Sequence, residues 1–313
     1  MALKLVVEPI FEADFCEHSY GFRPKRSAHD AVDAVADALL KRHTRVIDAD
    51  LSKYFDTIPH AKLMAVVAER IVDGAVLGLI QQWLKAPVIE EDEKGKRRPQ
   101  GGKGNRKGTP QGGVISPLLA NLYLHLLDRI WERHDLERRL GARLVRYADD
   151  AVILCRHDTE KPMAILTSIL ERLDLKLNTD KTHVVDAGEQ GFDFLGFSIC
   201  WRTSRRSGKR YPHTEPSKRS QQRIKQRVTE LTARRRTPVP LPVLVNEVNQ
   251  ALRGWSGYFH YRNCTHVFGR IKMHAEERLR TQLRRRHKLN SRAQGYIRFP
   301  TAHLYDYAGL FKL

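Results

Sequence analysis

Two adjacent carboxylates, Asp149 and Asp150, stand between the apolar runs Leu144-Val145 and Ala151-Val152-Ile153-Leu154. Branched apolar residues suit buried strands and an Asp pair does not, so the pattern predicts strand, tight turn, strand, with the acids at the tip. Negative charge concentrated at one exposed point is relieved by a divalent cation with oxygen ligands, and that is the chemistry such a tip offers. A second acidic strand end lies far upstream. In Val46-Ile47-Asp48-Ala49-Asp50 the residues alternate, so Ile47 and Ala49 share one face and Asp48 and Asp50 the other. An acidic edge on a core strand needs something to neutralise it. Taken singly, the Asp149-Asp150 pair also fits an acidic surface turn.

Other stretches carry phosphate or nucleotide chemistry. Arg23, Lys25 and Arg26 precede a helix whose start Ser27 can cap, a place where an anion binds or where cations merely meet water. Gln111 can hydrogen-bond to a base or sugar edge, and Gly112 and Gly113 let backbone amides approach a ligand, although a Gly-Gly pair is also an ordinary turn. The elements that must position these groups follow from periodicity. Helices are expected over 29–41, from Pro59 through Ile71, from Ala75 to Leu84, from the Gly112-Gly113 turn to about Arg139, and from Met163 to Leu173. Glu90 to Lys107 is polar and reads as a hairpin or loop. A strand is expected at His183–Val185, and Phe192–Ile199 reads as a strand pair or tight turn with Gly196 allowing close approach of another backbone.

The 313 residues exceed the usual single-domain size. Net charge is +19, but residues 1–201 are nearly neutral while residues 202–313 hold 26 Lys+Arg against 6 Asp+Glu, a net of +20. That distribution predicts three regions: 1–201, a basic linker at 202–216, and a basic helical domain at 217–313 with helices over 217–236, 243–262 and 265–287. A polyanion is the expected partner of the last. Trp255, Tyr258, Phe259 and Tyr261 supply aromatic packing there, with stacking of one of them on a base as the alternative. Apolar runs fall short of a membrane span, and the four cysteines are too widely spaced for a zinc site, which points to a reducing bacterial cytosol without membrane attachment.

In order along the chain, Tyr20-Gly21-Phe22-Arg23-Pro24, Asp50 through Phe55-Asp56, Gly108 through Asn121, Tyr147-Ala148-Asp149-Asp150, Leu177-Asn178 through Lys181-Thr182, Phe194-Leu195-Gly196-Phe197 and Leu252-Arg253-Gly254-Trp255 resemble the group II intron-encoded reverse transcriptases and maturases. The resemblance implies an α+β fold, with a right-hand polymerase palm of antiparallel sheet and helices, partial fingers, and a helical thumb or maturase domain. It implies an RNA-directed DNA polymerase that extends a DNA primer on an RNA template with deoxynucleoside triphosphates. It also implies binding of a group II intron RNA to assist splicing and mobility. Asp50, Asp149, Asp150 and the carbonyl of Leu51 would hold two Mg²⁺ ions about 3.5–4 Å apart. Phe55 would exclude a 2′-hydroxyl. Gln111, Gly112, Gly113 and Arg23 would line the nucleotide site, and Lys181 would bind or protonate pyrophosphate. Arg234, Arg235, Arg236, Leu195 and Gly196 would meet nucleic acid.

Family members carry fingers blocks upstream of the Tyr20–Pro24 motif, and Met1 falls close to that motif, so an N-terminally truncated chain is expected. This leaves a second reading open, a maturase-like RNA-binding protein that no longer extends primers. A polymerase of another bacterial retroelement fits the Leu252–Tyr261 segment less well.

Overall fold

The computed structural model describes residues 1–91, 97–100, 102, 104–110 and 112–313. They divide into two compact units, residues 1–190 and 191–313.

The first unit opens with α1 (Ala2–Glu12) and α2 (Ala28–Leu40). Ser27 and Asp30 close a reciprocal capping box at the start of α2, as the Ser and the following acid predict. Then come β1 (Arg45–Ala49), the short α3 (Tyr54–Thr57), α4 (His60–Ala68), α5 (Gly74–Leu84) and the hairpin β2 (Val88–Glu91) and β3 (Arg97–Gln100). The long helix α6 (Ser116–Arg133) is separated from α7 (Leu136–Leu140) by Asp135, whose φ of 49° interrupts the helix expected to run unbroken. The unit ends with β4 (Ala142–Tyr147), β5 (Asp150–Cys155), α8 (Glu160–Arg172) and β6 (His183–Asp186).

One antiparallel sheet in the order β4-β5-β1-β6 organises this unit. Side chains alternate across it. Ile47, Ala49, Ala142, Leu144, Ala151, Ile153 and Cys155 join one core with Leu118, Tyr123, Leu127, Leu166 and Leu170 from α6 and α8. The intervening Val46, Val152 and Leu154 are as fully buried, and α2 packs against β4 and β5. Helices on both faces explain why these strands read as continuous apolar runs rather than as alternation with polar residues.

The second unit begins with the antiparallel strands β7 (Phe192–Phe194), β8 (Phe197–Thr203) and β9 (Arg210–Pro216), followed by α9 (Lys218–Leu231), a 3₁₀ turn at Arg234–Arg236, α10 (Leu241–Phe259), α11 (Thr265–Arg286), α12 (Arg292–Arg298) and α13 (Thr301–Asp306). Its core joins Ile224, Val228, Val248, Leu252, Ile271 and Leu279 of α9, α10 and α11. Two expectations change here. The compact unit starts at Gly191, and most of the segment expected as a basic linker, 202–216, is paired strand. Its cations misled by composition: Pro212, His213, Thr214 and Pro216 are buried, and β9 is an edge strand, where prolines lose no ladder bond.

Leu195 and Gly196 form the two-residue turn between β7 and β8, with φ of 49° and 80°. Positive φ at both central residues matches the right-handed twist of a hairpin. Gly196 O accepts from Ser217 N at 2.9 Å and from Ser220 Oγ at 3.0 Å, and Tyr258 Oη donates to Leu195 O at 2.9 Å. Around this turn Phe197 packs on Tyr258, Phe259 and Tyr261, so the aromatic residues serve packing as expected. A Cβ at Gly196 would lie 3.2 Å from the Phe259 ring and 3.3 Å from Ser220 Oγ. Gly196→Ala should therefore cost about 1–2 kcal/mol through the left-handed backbone alone, seen as a lower urea midpoint for the second unit.

Candidate active site

β4 and β5 pair from Ala142↔Cys155 to Tyr147↔Asp150, leaving Ala148-Asp149 as a two-residue turn. β1 pairs with β5 from Arg45↔Cys155 to Ala49↔Ala151. Asp50 therefore leaves β1 beside the start of β5, and Asp50, Asp149 and Asp150 come to one end of the sheet. The Asp50 backbone is pinned there from both sides. Asn178 N donates to Asp50 O at 2.8 Å, and Asp50 N donates to Thr182 Oγ1 at 3.4 Å. Lys181 Nζ stands 3.7 Å from Asp50 Oδ2, and Ser52 N bonds to Lys176 O across the Leu51↔Leu177 bridge.

The carboxylates feel one another. Partial burial and then the charge of Asp50 raise the Asp149 carboxyl, against the opposing pull of its own backbone amide and of Arg146. Asp150 is pushed up to about 6, by burial first and then by the charges of Asp149 and Asp50. Asp150 keeps exposed surface, and an upward shift is what crowding of like charges at the end of a sheet requires. Such crowding fits a divalent cation. The described residues nevertheless include no group of three or more His, Cys, Asp or Glu gathered closely enough to hold a metal ion, so the acids share an edge without forming a closed ligand cage.

What holds the turn in place is Arg146, a residue not singled out from the sequence. Its side chain is fully buried, on the same face of β4 as Ala142 and Leu144. Nη1 donates to Ala148 O at 2.9 Å and to Asn121 Oδ1 at 2.7 Å, Nη2 to Ser19 Oγ at 2.6 Å and to Asp128, and Nε to Asp128 Oδ1 at 2.9 Å. Asn121 and Asp128 stand two turns apart on one face of α6, so a single helix supplies both acceptors. Burial alone would raise the Asp128 carboxyl, but the Arg146 charge and the bonds from His18 and Arg146 hold it well below the usual range. The signal lay in the sequence as an arginine on the apolar phase of a strand.

The Tyr20–Pro24 segment closes over the same turn. Tyr20 N bonds to Arg146 O at 2.8 Å, Arg146 N bonds to His18 O at 2.9 Å, and Asn121 Nδ2 donates to Gly21 O at 2.9 Å. A Cβ on Gly21 would fall 2.2 Å from Ala148 N, so only glycine fits. Beyond it, Phe55 in α3 is half-buried, packs on Tyr54 with ring centroids 5.6 Å apart, and its carbonyl accepts from Thr109 N at 2.7 Å. Gly108 N bonds to Ile58 O at 2.8 Å, so the Phe55–Ile58 segment and the Gly108-Thr109 segment are joined by backbone bonds.

The family model for reverse transcriptase (RNA-dependent DNA polymerase) matches residues 1–199, and that for the group II intron maturase-specific domain matches residues 221–298. The chain belongs to the group II intron-encoded reverse transcriptases and maturases. Among similar proteins, the Escherichia coli K12 protein YkfC is 34% identical over 254 residues, covering 70% of this chain and 64% of its own length. The Lactococcus lactis group II intron-encoded protein LtrA is 28% identical over 272 residues, covering 66% and 44%. The chain thus spans under two thirds of the length of either relative. A solved telomerase from Candida albicans, in complex with a fragment of telomeric RNA, superposes with a TM-score of 0.51 at 12% identity, covering all of this chain and 58% of that one. At that identity it speaks for the fold, the right-hand polymerase architecture expected from the motifs.

Within this member of the family, the residues expected at the site divide. Asp50, Leu51, Asp149, Asp150 and Lys181 come together, and Phe55 is bonded to the Gly108-Thr109 segment that precedes Gly112 and Gly113 in the chain. Gln111 lies outside the described residues. Arg23 does not belong to a nucleotide site. Its guanidinium is buried on Glu12 at 2.8 Å and on the carbonyls of Cys16 at 2.6 Å and Ser19 at 2.7 Å, leaving no face for phosphate. In the second unit Arg234 and Arg235 are exposed, but Arg236 pairs with Glu247 at 2.8 Å, and the Leu195 and Gly196 carbonyls are taken by Tyr258, Ser217 and Ser220.

Arg146→Met leaves Asp128 buried without its partner and should cost about 3–5 kcal/mol, read as a lower denaturation midpoint. Asp150 carries the opposite sign. Its folded carboxyl titrates above the unfolded one, so its charge opposes folding above pH 6 and ceases to do so as pH falls toward 4. Asp150→Asn in magnesium-free buffer should raise the melting temperature at pH 8, with the gain shrinking between pH 6 and pH 4.

Proposed function

We propose that this chain is an RNA-directed DNA polymerase that joins deoxynucleotides to a DNA primer on an RNA template by two-metal nucleotidyl transfer, and that it binds a group II intron RNA to assist splicing and mobility. The observation that carries the reading is the sheet end where Asp50, Asp149 and Asp150 crowd together.

The residues divide the work. Asp50 and Asp149, with the Leu51 carbonyl, would hold the cations, and Asp150 would contribute charge from the edge. Bound there, two Mg²⁺ ions supply Lewis-acid activation of the primer 3′-hydroxyl and charge neutralisation at the leaving pyrophosphate. The primer oxygen forms the new bond to the α-phosphorus as the bond to pyrophosphate breaks. Lys181, 3.7 Å from Asp50, would follow the negative charge onto pyrophosphate and hold or protonate it. Phe55 presents its half-buried ring to the sugar and rejects a 2′-hydroxyl by contact. The second unit carries most of the positive charge, and exposed cations such as Arg234 and Arg235 track phosphates with the salt dependence of counterion release. Among the described residues no helix is long and apolar enough to cross a membrane. Work in a bacterial cytosol, where the intron RNA is made, is part of the same proposal.

A second reading has its own observation. Residues 202–313 carry a net charge of +20, which suits a maturase that binds RNA without extending primers. Primer extension on an RNA template separates the two. Magnesium-dependent extension that Asp149→Asn abolishes, with RNA affinity retained, supports the polymerase; salt-sensitive RNA binding without extension supports the binding protein. Phe55→Ala should admit ribonucleotides, and unchanged sugar discrimination would remove Phe55 from the gate. Neutralising Arg234 and Arg235 together should lower the log–log salt slope of RNA binding by about two; Arg236, held by Glu247, should add little.

A further inference from the structure

Phe22 sits between two anchors. On one side Gly21 is wedged against Ala148 and accepts a bond from Asn121; on the other the Arg23 guanidinium is locked on Glu12 and the Cys16 and Ser19 carbonyls. The backbone between them takes φ 56°, a left-handed conformation costly for a bulky side chain. Packing does not account for that cost, because the ring is 46% exposed. Costly backbone kept for an open aromatic side chain is characteristic of a ligand contact. The ring meets Phe55 edge-on, with centroids 6.4 Å apart and planes at 80°. Two rings at right angles make an apolar corner, and the Ala148-Asp149 turn against which Gly21 is wedged puts the carboxylates at its end.

We infer that Phe22 is a second substrate-contacting wall of the nucleotide pocket: its open face packs on the sugar and base of the incoming nucleoside triphosphate, and its edge fixes the angle of the Phe55 ring. The corner and the acids together describe the ligand. One end must be flat or apolar, as a base and a 2′-methylene are, and the other must be an anion that reaches the carboxylates through a cation, as a triphosphate does. Sugar selectivity is then a property of the Phe22–Phe55 pair. This inference rests on the polymerase reading for its ligand.

The test uses the full chain bound to an RNA template and a DNA primer ended with a dideoxynucleotide, so that nucleotide affinity is measured without chemistry. Affinities for the next deoxynucleoside triphosphate and its ribonucleotide counterpart are compared among the parent, Phe22→Leu and Phe22→Tyr. Phe22→Leu should weaken the deoxynucleotide roughly 3- to 10-fold, the scale of one aromatic contact, and narrow the preference over the ribonucleotide. Phe22→Tyr should restore both. Phe22→Leu combined with Phe55→Ala should lose less discrimination than the two single effects summed. Parental affinity and preference in Phe22→Leu would overturn the inference, and so would a lowered melting temperature with nucleotide binding intact, which marks a packing role. If the parent binds the nucleotide and responds to Phe22 yet fails to extend an unblocked primer, the polymerase reading falls and the wall stands. A parent complex that binds no nucleotide removes both.

Discussion

The buried ion pair of Arg146 and Asp128 is the constraint on which the first unit depends. Neither residue exposes any side chain, and a charge in such a place is tolerated only when its bonds are met. Arg146 meets them by reaching Asp128 and Asn121 on α6, Ser19 ahead of Gly21, and the carbonyl of Ala148 in the acidic turn. One guanidinium thus ties a strand, a helix, a loop and the turn into one rigid piece. Its planar fork of donors is suited to several acceptors at fixed angles in a way that a lysine ammonium is not.

Rigidity at that point has a chemical use. The ends of β1 and β5 bring three carboxylates together, and partial burial with mutual repulsion raises Asp149 and Asp150. Left to itself, such a tip would relieve its repulsion by moving apart. The bonds to Ala148 from below and the contact of Gly21 from above oppose that movement. Repulsion kept in place is what the proposed cations would relieve. Left-handed backbone at Phe22, Lys53 and Ala148 lies within the same motifs, where surrounding contacts hold conformations that short peptides would abandon.

The second unit solves a different problem. It must carry a large excess of positive charge and still fold, and it does so by giving part of that charge internal work. Arg280 is buried on the Phe299 carbonyl at 3.0 Å, and Arg236 pairs with Glu247, while Arg234 and Arg235 stay in water. Counting cations therefore overstates the surface available to a polyanion. The same lesson applies to Arg23, whose place in a basic loop hides a guanidinium wholly spent on Glu12 and backbone carbonyls.

Much of this protein was legible from local pattern. The Asp pair between apolar runs, the alternation ending at Asp50, the Ser27 cap and the helical periodicities of α2, α5, α8 and α11 all express near-neighbour physics, and ordered motifs pointed to the family. Chain order along the motifs also named Asp50, Asp149, Asp150 and Phe55. Tertiary structure decided what composition could not. Whether a cation is free depends on partners distant in sequence, so Arg23, Arg146 and Arg236 read alike as basic residues and became a loop anchor, a buried hub and a paired surface group. The strand made from 202–216 depended on a neighbouring edge rather than on its own residues, since β9 owes its order to pairing with β8. Periodicity is set within a few residues and survives in the sequence; the pairing of charges and edges is set by the fold and does not.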